Sequence, residues 1–457
     1  MFTHSLLMAM ASSTTGVVPG YVVNYGCRFN DDDSDFLSRT FSTGSTTTWT
    51  MSLWIKLANV GLDACIISSD TDGNSDWIQL QTDGTLRIVR SGENILLSNQ
   101  LWRDPLGWGH LVIASNLSES TASDKLKVYW NGTEITSWDE DNRSGKTSWS
   151  FLNAAKEHNI GRRLAQAHRY WDGYMSQFAW IDGSQLAATS FGERDSKGVW
   201  RPIDITGLTY TATNSCLLDF ADSGDLGNDI GDNNNDFTSS GLDSSDRMDD
   251  TPTTNYYTLN SLDINATIAN GNLQDKGGTS VNVMGPAIPT SGKWYWEITV
   301  TTKGGSTATA HYWGITEASG KKLTANFNAI EAISVMQQAG GAIEKNGSSS
   351  STGTAVSNGD IISIAYDADN LTLDFKVNNS ASGDQVTGIT SGQYKPWGQD
   401  GSSCNINYNF GQLDFTYTPP TNYKALNTAN IDTPSIEDGT GYFQATLYTG
   451  NGTARNI

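Results

Sequence analysis

Aromatic and polar side chains on predicted loops are the residues of this chain that could do chemistry. The 457 residues include 15 Trp and 17 Tyr, many more than two hydrophobic cores require. Aromatic rings stack on sugar rings, and amide, carboxylate and guanidinium groups hydrogen-bond to sugar hydroxyls, so this combination predicts carbohydrate binding. Packing against neighbouring loops explains the same side chains equally well. The candidates are Trp102, Trp108, Arg162, Arg163, His168, Arg169, Tyr170, Tyr394, Trp397, Gln399 and Asp400.

Acidic side chains near the first predicted strand have the composition of a calcium site. Calcium binds several carboxylate and carbonyl oxygens that converge from loops. The residues are Asn30, Asp31, Asp33 and Asp35, which follow the strand, and Asp172, which precedes a later one. Solvated aspartates in turns are the favoured interpretation. We therefore predict no cofactor and keep calcium as the alternative.

Patterns typical of catalysis are missing from the sequence. Some glycosidases carry carboxylates at alternate positions of one strand, which places an acid and a nucleophile beside the scissile bond; no predicted strand has that pattern. Glu134, Asp139 and Glu140 lie in or beside turns. His110 and His158 lack a partner motif of the form Gly-x-Ser-x-Gly. We predict that the protein is not an enzyme, with a polysaccharide-degrading enzyme as the alternative.

The acidic, glycine-rich composition excludes several classes of partner. The formal net charge is -21, and the 28 Lys and Arg residues are scattered, whereas nucleic-acid binding needs clustered positive charge. The same repulsion acts against anionic membranes, and no apolar run approaches the length of a membrane-spanning helix. We therefore predict no nucleic-acid partner and no membrane insertion.

The four cysteines favour free thiols. Cys27, Cys65, Cys216 and Cys404 are far apart and lack a metal-ligand spacing such as Cys-x-x-Cys. Large sandwiches do not need cross-links for stability. Buried free thiols are therefore predicted, with a disulfide as the alternative.

Alternating apolar and polar residues predict the elements that position these side chains. In residues 49–57 and 293–300, apolar residues recur at every second position, as in a strand with one buried side. Asp83-Gly84 and Asn131-Gly132 supply tight hairpin turns. No repeat of fixed period is present, so a jelly roll fits better than a barrel or propeller. The predicted fold class is all-β, with two antiparallel β-sandwich (jelly-roll) domains.

Composition divides the chain into five segments. Residues 1–20 are an apolar arm without the basic start or the cleavage site of a secretion signal, and we predict that they anchor the chain. Residues 21–218 and 251–431 are the two sandwiches. Residues 219–250, rich in Asp, Asn and Gly, predict a linker or long loop, because they contain too little apolar surface to offset the entropy of ordering. Residues 432–457 are a C-terminal strand and tail, which need a pairing partner.

The second sandwich resembles the SPRY family. The marks of that family are a Gly-x-Trp-Tyr-Trp-Glu strand, a Gly-Asp-x-Ile strand, a Phe-x-Val-Asn hairpin and a final Asn-Phe-Gly. They lie here at residues 292–297, 359–362, 375–378 and 409–411. Four marks in the family's order make a specific signal. The alternation of this segment places Trp294, Trp296 and Trp313 in the core.

The first sandwich resembles the laminin-G or concanavalin-like jelly roll. The resemblance rests on Arg-Phe-Asn at residues 28–30, Val-Tyr-Trp-Asn-Gly at 128–132, Ile-Gly-Arg at 160–162 and Trp-Asp-Gly-Tyr-Met at 171–175. It implies a sandwich of antiparallel sheets whose loops are free to bind a partner.

The order of these parts resembles structural proteins of marine bacteriophages. The resemblance implies a virion protein of the tail-fibre or surface-adhesin type that binds host-surface carbohydrate through its loops. It also implies a homo-oligomer, expected to be a trimer, other virion proteins bound through the N-terminal arm, synthesis in the host cytoplasm and a place on the virion surface. The alternatives are a capsid-decorating or head-fibre protein that binds no glycan, and the polysaccharide-degrading enzyme.

Overall fold

The computed structural model describes residues 20–71, 74–164, 169–262, 266–303, 311–318, 334–346 and 348–432. The predicted arm and C-terminal tail therefore lie outside the described residues, apart from Gly20 and Asp432. Strands dominate, and nearly all of them pair antiparallel. The described part also contains the short helix α1 (Ala122–Lys125) and 3-10 turns at Ala188–Ser190, Ser244–Asp246 and Thr428–Asn430. The predicted all-β fold class is confirmed.

Two eight-stranded sheets stack into the first sandwich. Sheet 1 contains β1 (Gly26–Phe29), β3 (Thr48–Leu57), β8 (Trp108–Asn116), β9 (Leu126–Trp130), β10 (Thr133–Glu134), β13 (Gly173–Asp182), β16 (Cys216–Leu218) and β18 (Arg247–Met248). Sheet 2 contains β2 (Phe36–Thr40), β4 (Ala64–Thr71), β5 (Asn74–Leu80), β6 (Thr85–Arg90), β7 (Glu93–Leu101), β11 (Trp138–Asp141), β12 (Glu157–Ile160) and β17 (Thr238–Ser240). A separate hairpin consists of β14 (Gly192–Arg194) and β15 (Trp200–Pro202).

Sheet 1 is buried on both sides. Its inner side packs against sheet 2 around Trp49, whose ring stacks on that of Trp180 with centroids 4.6 Å apart. On the outer side, Trp54 and Lys56 of β3 are also buried, because residues 184–210 and the second sandwich cover them. The polar residues that alternate along β3 therefore face packed protein.

The second sandwich is built from one curved twelve-stranded sheet, sheet 3. Its strands are β19 (Ile268–Ala269), β20 (Gln274–Met284), β21 (Lys293–Thr302), β22 (Tyr312–Glu317), β23 (Ser334–Gln338), β24 (Ala342–Lys345), β25 (Ser348–Thr352), β26 (Ile361–Asp367), β27 (Thr372–Val377), β28 (Ser380–Ala381), β29 (Tyr394–Asn409) and β30 (Lys424–Ala425). Strand β29 pairs with β22 through its first half and with β21 through its second half, which turns the sheet around one core. Trp294, Trp296 and Trp313 lie in that core, as predicted.

Residues 219–250 differ from the predicted linker, because they fold onto the first sandwich. Strand β17 pairs with β2, and β18 pairs with β1. Leu226 and Phe237 enter the core. The Asp229 carboxylate accepts hydrogen bonds from the backbone N–H groups of Leu217, Gly231 and Asn235 at 2.7–2.8 Å. Carboxylate-to-backbone bonds of this kind order a polar segment that has few apolar side chains.

The four cysteines are buried thiols that form no disulfide, as predicted. Burial in apolar surroundings raises the pKa of the thiols of Cys27 and Cys216, so they remain protonated and unreactive. Within the described ranges, no helix is long and apolar enough to cross a membrane.

A buried ion pair joins the two sandwiches. The Lys56 ammonium lies 2.7 Å from Asp250 Oδ2, and both side chains are wholly shielded from solvent. It also donates to Asn255 Oδ1 at 2.7 Å and to the carbonyl oxygen of Tyr256 at 2.8 Å. Trp108 Nε1 donates to the other oxygen of Asp250 at 2.8 Å. These contacts fix the start of the second sandwich against the outer side of sheet 1.

Candidate functional site

A cleft of about 310 Å³ opens beside the buried ion pair. Its walls come from the outer side of sheet 1, the β14–β15 hairpin and the start of the second sandwich. The lining combines three tryptophans with cationic and hydrogen-bonding groups. They include Trp54, Trp108, Trp200, Arg194, Lys197, Arg201, Asn131, Thr133, Thr253 and Asn255. A concave site with an aromatic floor and a few polar groups suits a small polar ligand such as a sugar unit.

Trp200 is the partly buried ring of this floor. Its indole Nε1 donates to Nδ1 of His110 at 3.0 Å. A Cβ atom built on Gly132 or Gly192 would lie 2.3 Å or 2.6 Å from the ring. Only glycine at these two positions therefore allows the ring to lie so close to the backbone. The ring is fixed in place, and part of it lines the cleft.

His110 beneath the floor is a structural residue. Its ring stacks on Trp54 with centroids 4.6 Å apart, and its Nε2 lies 2.8 Å from Ser52 Oγ. Burial lowers the pKa of His110 to about 3, so the ring is neutral. Because an indole N–H can only donate, Nδ1 of His110 must accept and Nε2 must carry the proton. Nε2 therefore donates to Ser52, and the pair cannot work as a nucleophile with its base.

Arg194 brings positive charge and donors to the mouth of the cleft. Its Nη2 donates to Thr133 Oγ1 at 2.8 Å, and its Nη1 donates to the carbonyl oxygen of Gly198 at 2.9 Å. The guanidinium carbon lies 5.8 Å from the centre of the Trp200 ring. With Lys197 and Arg201 also in the lining, the mouth is cationic in a strongly acidic chain. Such donors can bind sugar hydroxyls or an acidic sugar substituent.

The predicted candidates Arg162, Arg163 and Arg169 lie on the outer side of sheet 2. Together with Phe36 and Trp77 they form what we call the arginine face. The Arg163 guanidinium lies 3.5 Å from the Trp77 ring centre, and that of Arg162 lies 3.5 Å from Phe36. Arg169 bonds to the side chains of Gln79 and Asp63. The arginines thus cover the aromatic rings of their own sheet. Tyr170 packs near Phe36, and His168 lies outside the described residues.

Most of the other predicted sugar-binding residues are buried. Tyr394, Trp397 and Gln399 were predicted on a loop, and this is wrong: they belong to strand β29, and the two rings are 1% exposed. Gly, Ser and Pro are frequent around them, but the strand runs through these residues. Trp102 packs edge-on against Trp130 in the first core. Trp108 lines the cleft, and the side chain of Asp400 lies outside the described residues.

The predicted calcium ligands are only partly brought together. Asn30 and Asp35 are linked by a hydrogen bond from the Asn30 backbone N–H to Asp35 Oδ2, and Asn30 Nδ2 donates to Asp33. The pairing of β1 with β13 places Asp172 beside this turn. Burial raises the pKa of Asp35 to about 7 and raises that of Asp172. Among the described residues, no three His, Cys, Asp or Glu side chains are grouped to hold a metal ion.

Comparisons with known proteins found a similarity for the first sandwich. Residues 30–188 match the family model described as the concanavalin A-like lectin/glucanases superfamily. This part of the chain is similar to that family. It supplies the cleft floor, including Trp54, Trp108 and Asn131, whereas Arg194 and Trp200 lie just beyond the matched residues.

One solved structure with a similar part is the SPRY domain of human HERC1, with 14% sequence identity over 34% of this chain and 99% of that chain and a TM-score of 0.29. Another is the heptameric SAP-like pentraxin from Limulus polyphemus, with 14% identity over 35% of this chain and 77% of that chain and a TM-score of 0.27. A third is the PSpry domain of TRIM65, with 12% identity over 34% of this chain and 88% of that chain and a TM-score of 0.27. A search of curated protein sequences found no match.

Sequence reasoning missed Arg194 and Trp200, the two residues that complete the site on the first sandwich. A signal was present, because Asp195-Ser-Lys-Gly198 is a turn sequence between short segments that contain both residues. A hairpin was therefore predictable. Its position over the outer side of sheet 1 was not, since that depends on contacts far apart in sequence.

Proposed function

We propose that the protein is a bacteriophage virion structural protein that binds a host-surface carbohydrate in the cleft. The observation that carries the sugar-binding part is the cleft itself: open space beside the fixed Trp200 ring, with the donors of Arg194 at its mouth. The description of the matched family, which includes lectins, supports the same ligand class. The order of modules along the sequence supports the virion role.

Recognition in this site combines stacking with hydrogen bonds. The sugar packs on the exposed part of Trp200, and Arg194, Asn131 and Thr133 bond to its hydroxyls. Each contact is weak. Many copies on one particle raise the overall affinity, because every additional contact forms at high effective concentration. Homo-oligomers, with a trimer as the expected form, and attachment through the N-terminal arm belong to this proposal.

The first test measures binding of the purified chain to host-surface polysaccharide and to a glycan array, with an Arg194→Met variant. We expect 10-fold to 100-fold weaker binding, because a hydrogen bond to a charged group is worth about 1.5–3 kcal/mol. Arg103→Met is the matched control: Arg103 is also exposed and also donates to a backbone carbonyl in a turn, that of Asp83. It should bind like the unchanged protein.

Three other results would replace the proposal. Equal binding by all three proteins would place the sugar elsewhere. Absence of glycan binding together with tight binding to phage capsids would favour the capsid-decorating alternative. Cleavage of the polysaccharide, lost on replacement of one acidic residue, would establish the enzyme.

A further inference from the structure

We propose that Lys56 and Asn255 react to form an intramolecular amide bond that joins the two sandwiches covalently, with Asp250 as the group that moves the protons. The proposal is independent of carbohydrate binding. It rests on three side chains that the fold brings together from the first sandwich and from the start of the second.

The distances place nucleophile and electrophile in contact. Lys56 Nζ lies 2.7 Å from Asn255 Oδ1 and 2.7 Å from Asp250 Oδ2. An amide C=O bond is about 1.2 Å long, so the amide carbon lies within about 4 Å of the amine. Reacting atoms start from a separation of roughly 3–3.5 Å. A turn of the Asn255 amide that presents its face to the nitrogen completes the approach.

The surroundings favour a neutral amine. Lys56 is 1% exposed, and its nitrogen lies 5.5 Å from the centre of the Tyr174 ring. Burial lowers the pKa of Lys56, and the charge of Asp250 opposes that effect. Transfer of one proton from the ammonium to the carboxylate makes both groups neutral, which relieves the cost of holding charge away from water. A desolvated lysine amine is a competent nucleophile.

Asp250 is held in position for this proton transfer. Trp108 Nε1 donates to Asp250 Oδ1 at 2.8 Å, and the backbone N–H of Tyr256 donates to the same oxygen at 3.2 Å. The second oxygen therefore points at Lys56. Asn255 is fixed on its other side, because its Nδ2 donates to the carbonyl oxygen of Leu106 at 2.8 Å.

The reaction balances without a co-reactant. The Lys56 nitrogen gives up a proton to Asp250 and uses its lone pair to form a bond to Cγ of Asn255. The bond between Cγ and Nδ2 of Asn255 then breaks. The leaving nitrogen takes that proton and a second one from the former lysine nitrogen, so it departs as an ammonium ion and Asp250 returns to the carboxylate. Asn255 lines the cleft, which gives the ammonium ion a path to solvent.

The decisive experiment is the intact mass of the denatured full-length chain, followed by tryptic peptide mapping. We expect a mass lower than that of the sequence by one ammonia, and a branched peptide that contains both Lys56 and Asn255. Trypsin should fail to cut after Lys56, because an acylated lysine carries no charge. Lys56→Arg and Asn255→Ala should each restore the full mass.

Two controls separate this cross-link from other events. Asn272→Ala removes a different asparagine that also bridges the sandwiches, through Ala58, and should keep the mass deficit. A succinimide at an Asn-Gly sequence also loses ammonia, but that loss would persist in Lys56→Arg. Full mass in the unchanged protein, with normal cleavage after Lys56, would overturn the proposal without the need for any variant.

Discussion

The cleft and the arginine face both place an arginine beside a tryptophan, yet they suit different roles. On the arginine face, the guanidinium of Arg163 lies 3.5 Å from the Trp77 ring centre, and Trp77 is buried. In the cleft, Arg194 lies 5.8 Å from the Trp200 ring centre and bonds to the hairpin turn. A tryptophan is therefore available to a ligand only where the protein does not cover the ring itself.

The two regions also differ in how they are supported. The cleft adjoins the buried contact of Lys56 with Asp250, whereas the arginine face has the partly exposed pair of Arg169 and Asp63, 3.3 Å apart. Buried charges without partners are costly, but exposed pairs contribute little. Changes near the cleft should therefore affect both folding and binding, and changes on the arginine face should affect neither strongly.

The largest expected effect of a single substitution is that of Asp250→Ala. Without Asp250 to move the protons, the proposed cross-link does not form. Lys56 then keeps a buried charge without a counter-charge and Trp108 Nε1 loses its acceptor, so the free energy of unfolding should fall by about 3–5 kcal/mol. Asp63→Ala on the arginine face should cost only about 0.2–1 kcal/mol. Denaturant titrations of both variants measure the difference. Equal losses would show that the two regions are supported alike.

The next effect is a dependence on pH, to which His110 beneath the cleft and His158 in β12 of sheet 2 contribute. Burial lowers the pKa of His110 and of His158 to about 3, against an ordinary value of about 6.5. The unfolded chain binds protons on these rings below pH 6.5 and the folded chain does not, so each stabilises the fold fully above that pH. The histidine contribution should lower stability as pH drops from about 6.5 towards 3, by up to about 1.4 kcal/mol per pH unit for each histidine. The raised pKa values of Asp35 and Asp172 act in the opposite sense, so the histidine contribution is read from the difference between the unchanged protein and a histidine variant.

His110→Gln tests this origin. Glutamine can accept from Trp200 and donate to Ser52 but does not titrate, so the contribution of position 110 to the slope should disappear while that of His158 remains. The arginine face contributes no comparable slope, because guanidinium groups stay charged across this range. Unfolding measured between pH 7 and pH 4 provides the comparison. An unchanged slope in the variant would assign the effect to other groups.

The smallest expected effect is that of Arg163→Met. It removes a cation–π contact between the half-buried Arg163 and Trp77, worth roughly 1 kcal/mol, and should leave glycan binding unchanged. Arg194→Met should weaken glycan binding and Arg163→Met should not, so one binding measurement on both variants distinguishes the two regions. Loss of binding in Arg163→Met, with binding retained in Arg194→Met, would reverse the assignment of the site.

The strands were predictable because their periodicity is local. Alternation along residues 49–57 and 293–300 identified β3 and β21, and the alternation of Trp294 and Trp296 placed them correctly in the core. The composition of residues 219–250 predicted a linker or long loop, and the structure differs. Aspartate carboxylates there accept hydrogen bonds from backbone N–H groups, and these bonds order the segment despite its few apolar side chains. A local sequence pattern does not predict such hydrogen bonds, because their donors and acceptors come together only when the chain folds.

The site was less predictable than the fold. Trp108 was a candidate and does line the cleft, but Tyr394 and Trp397 are core residues of a strand. Trp200 and Arg194 lie on a short hairpin whose position is set by Gly132, Gly192 and His110. These contacts join separate parts of the sequence, so no local pattern could identify the ring that remains available.

The hairpin that carries Arg194 has a fixed base and an exposed tip. Its base is held by the Trp200 ring between two glycines, while Ser196, Lys197 and Gly198 at the tip are exposed. Substitutions and insertions at exposed tips rarely disturb the fold. The sequence and length of the tip can therefore change while the aromatic floor of the cleft stays the same. A new ligand specificity is best introduced at this tip.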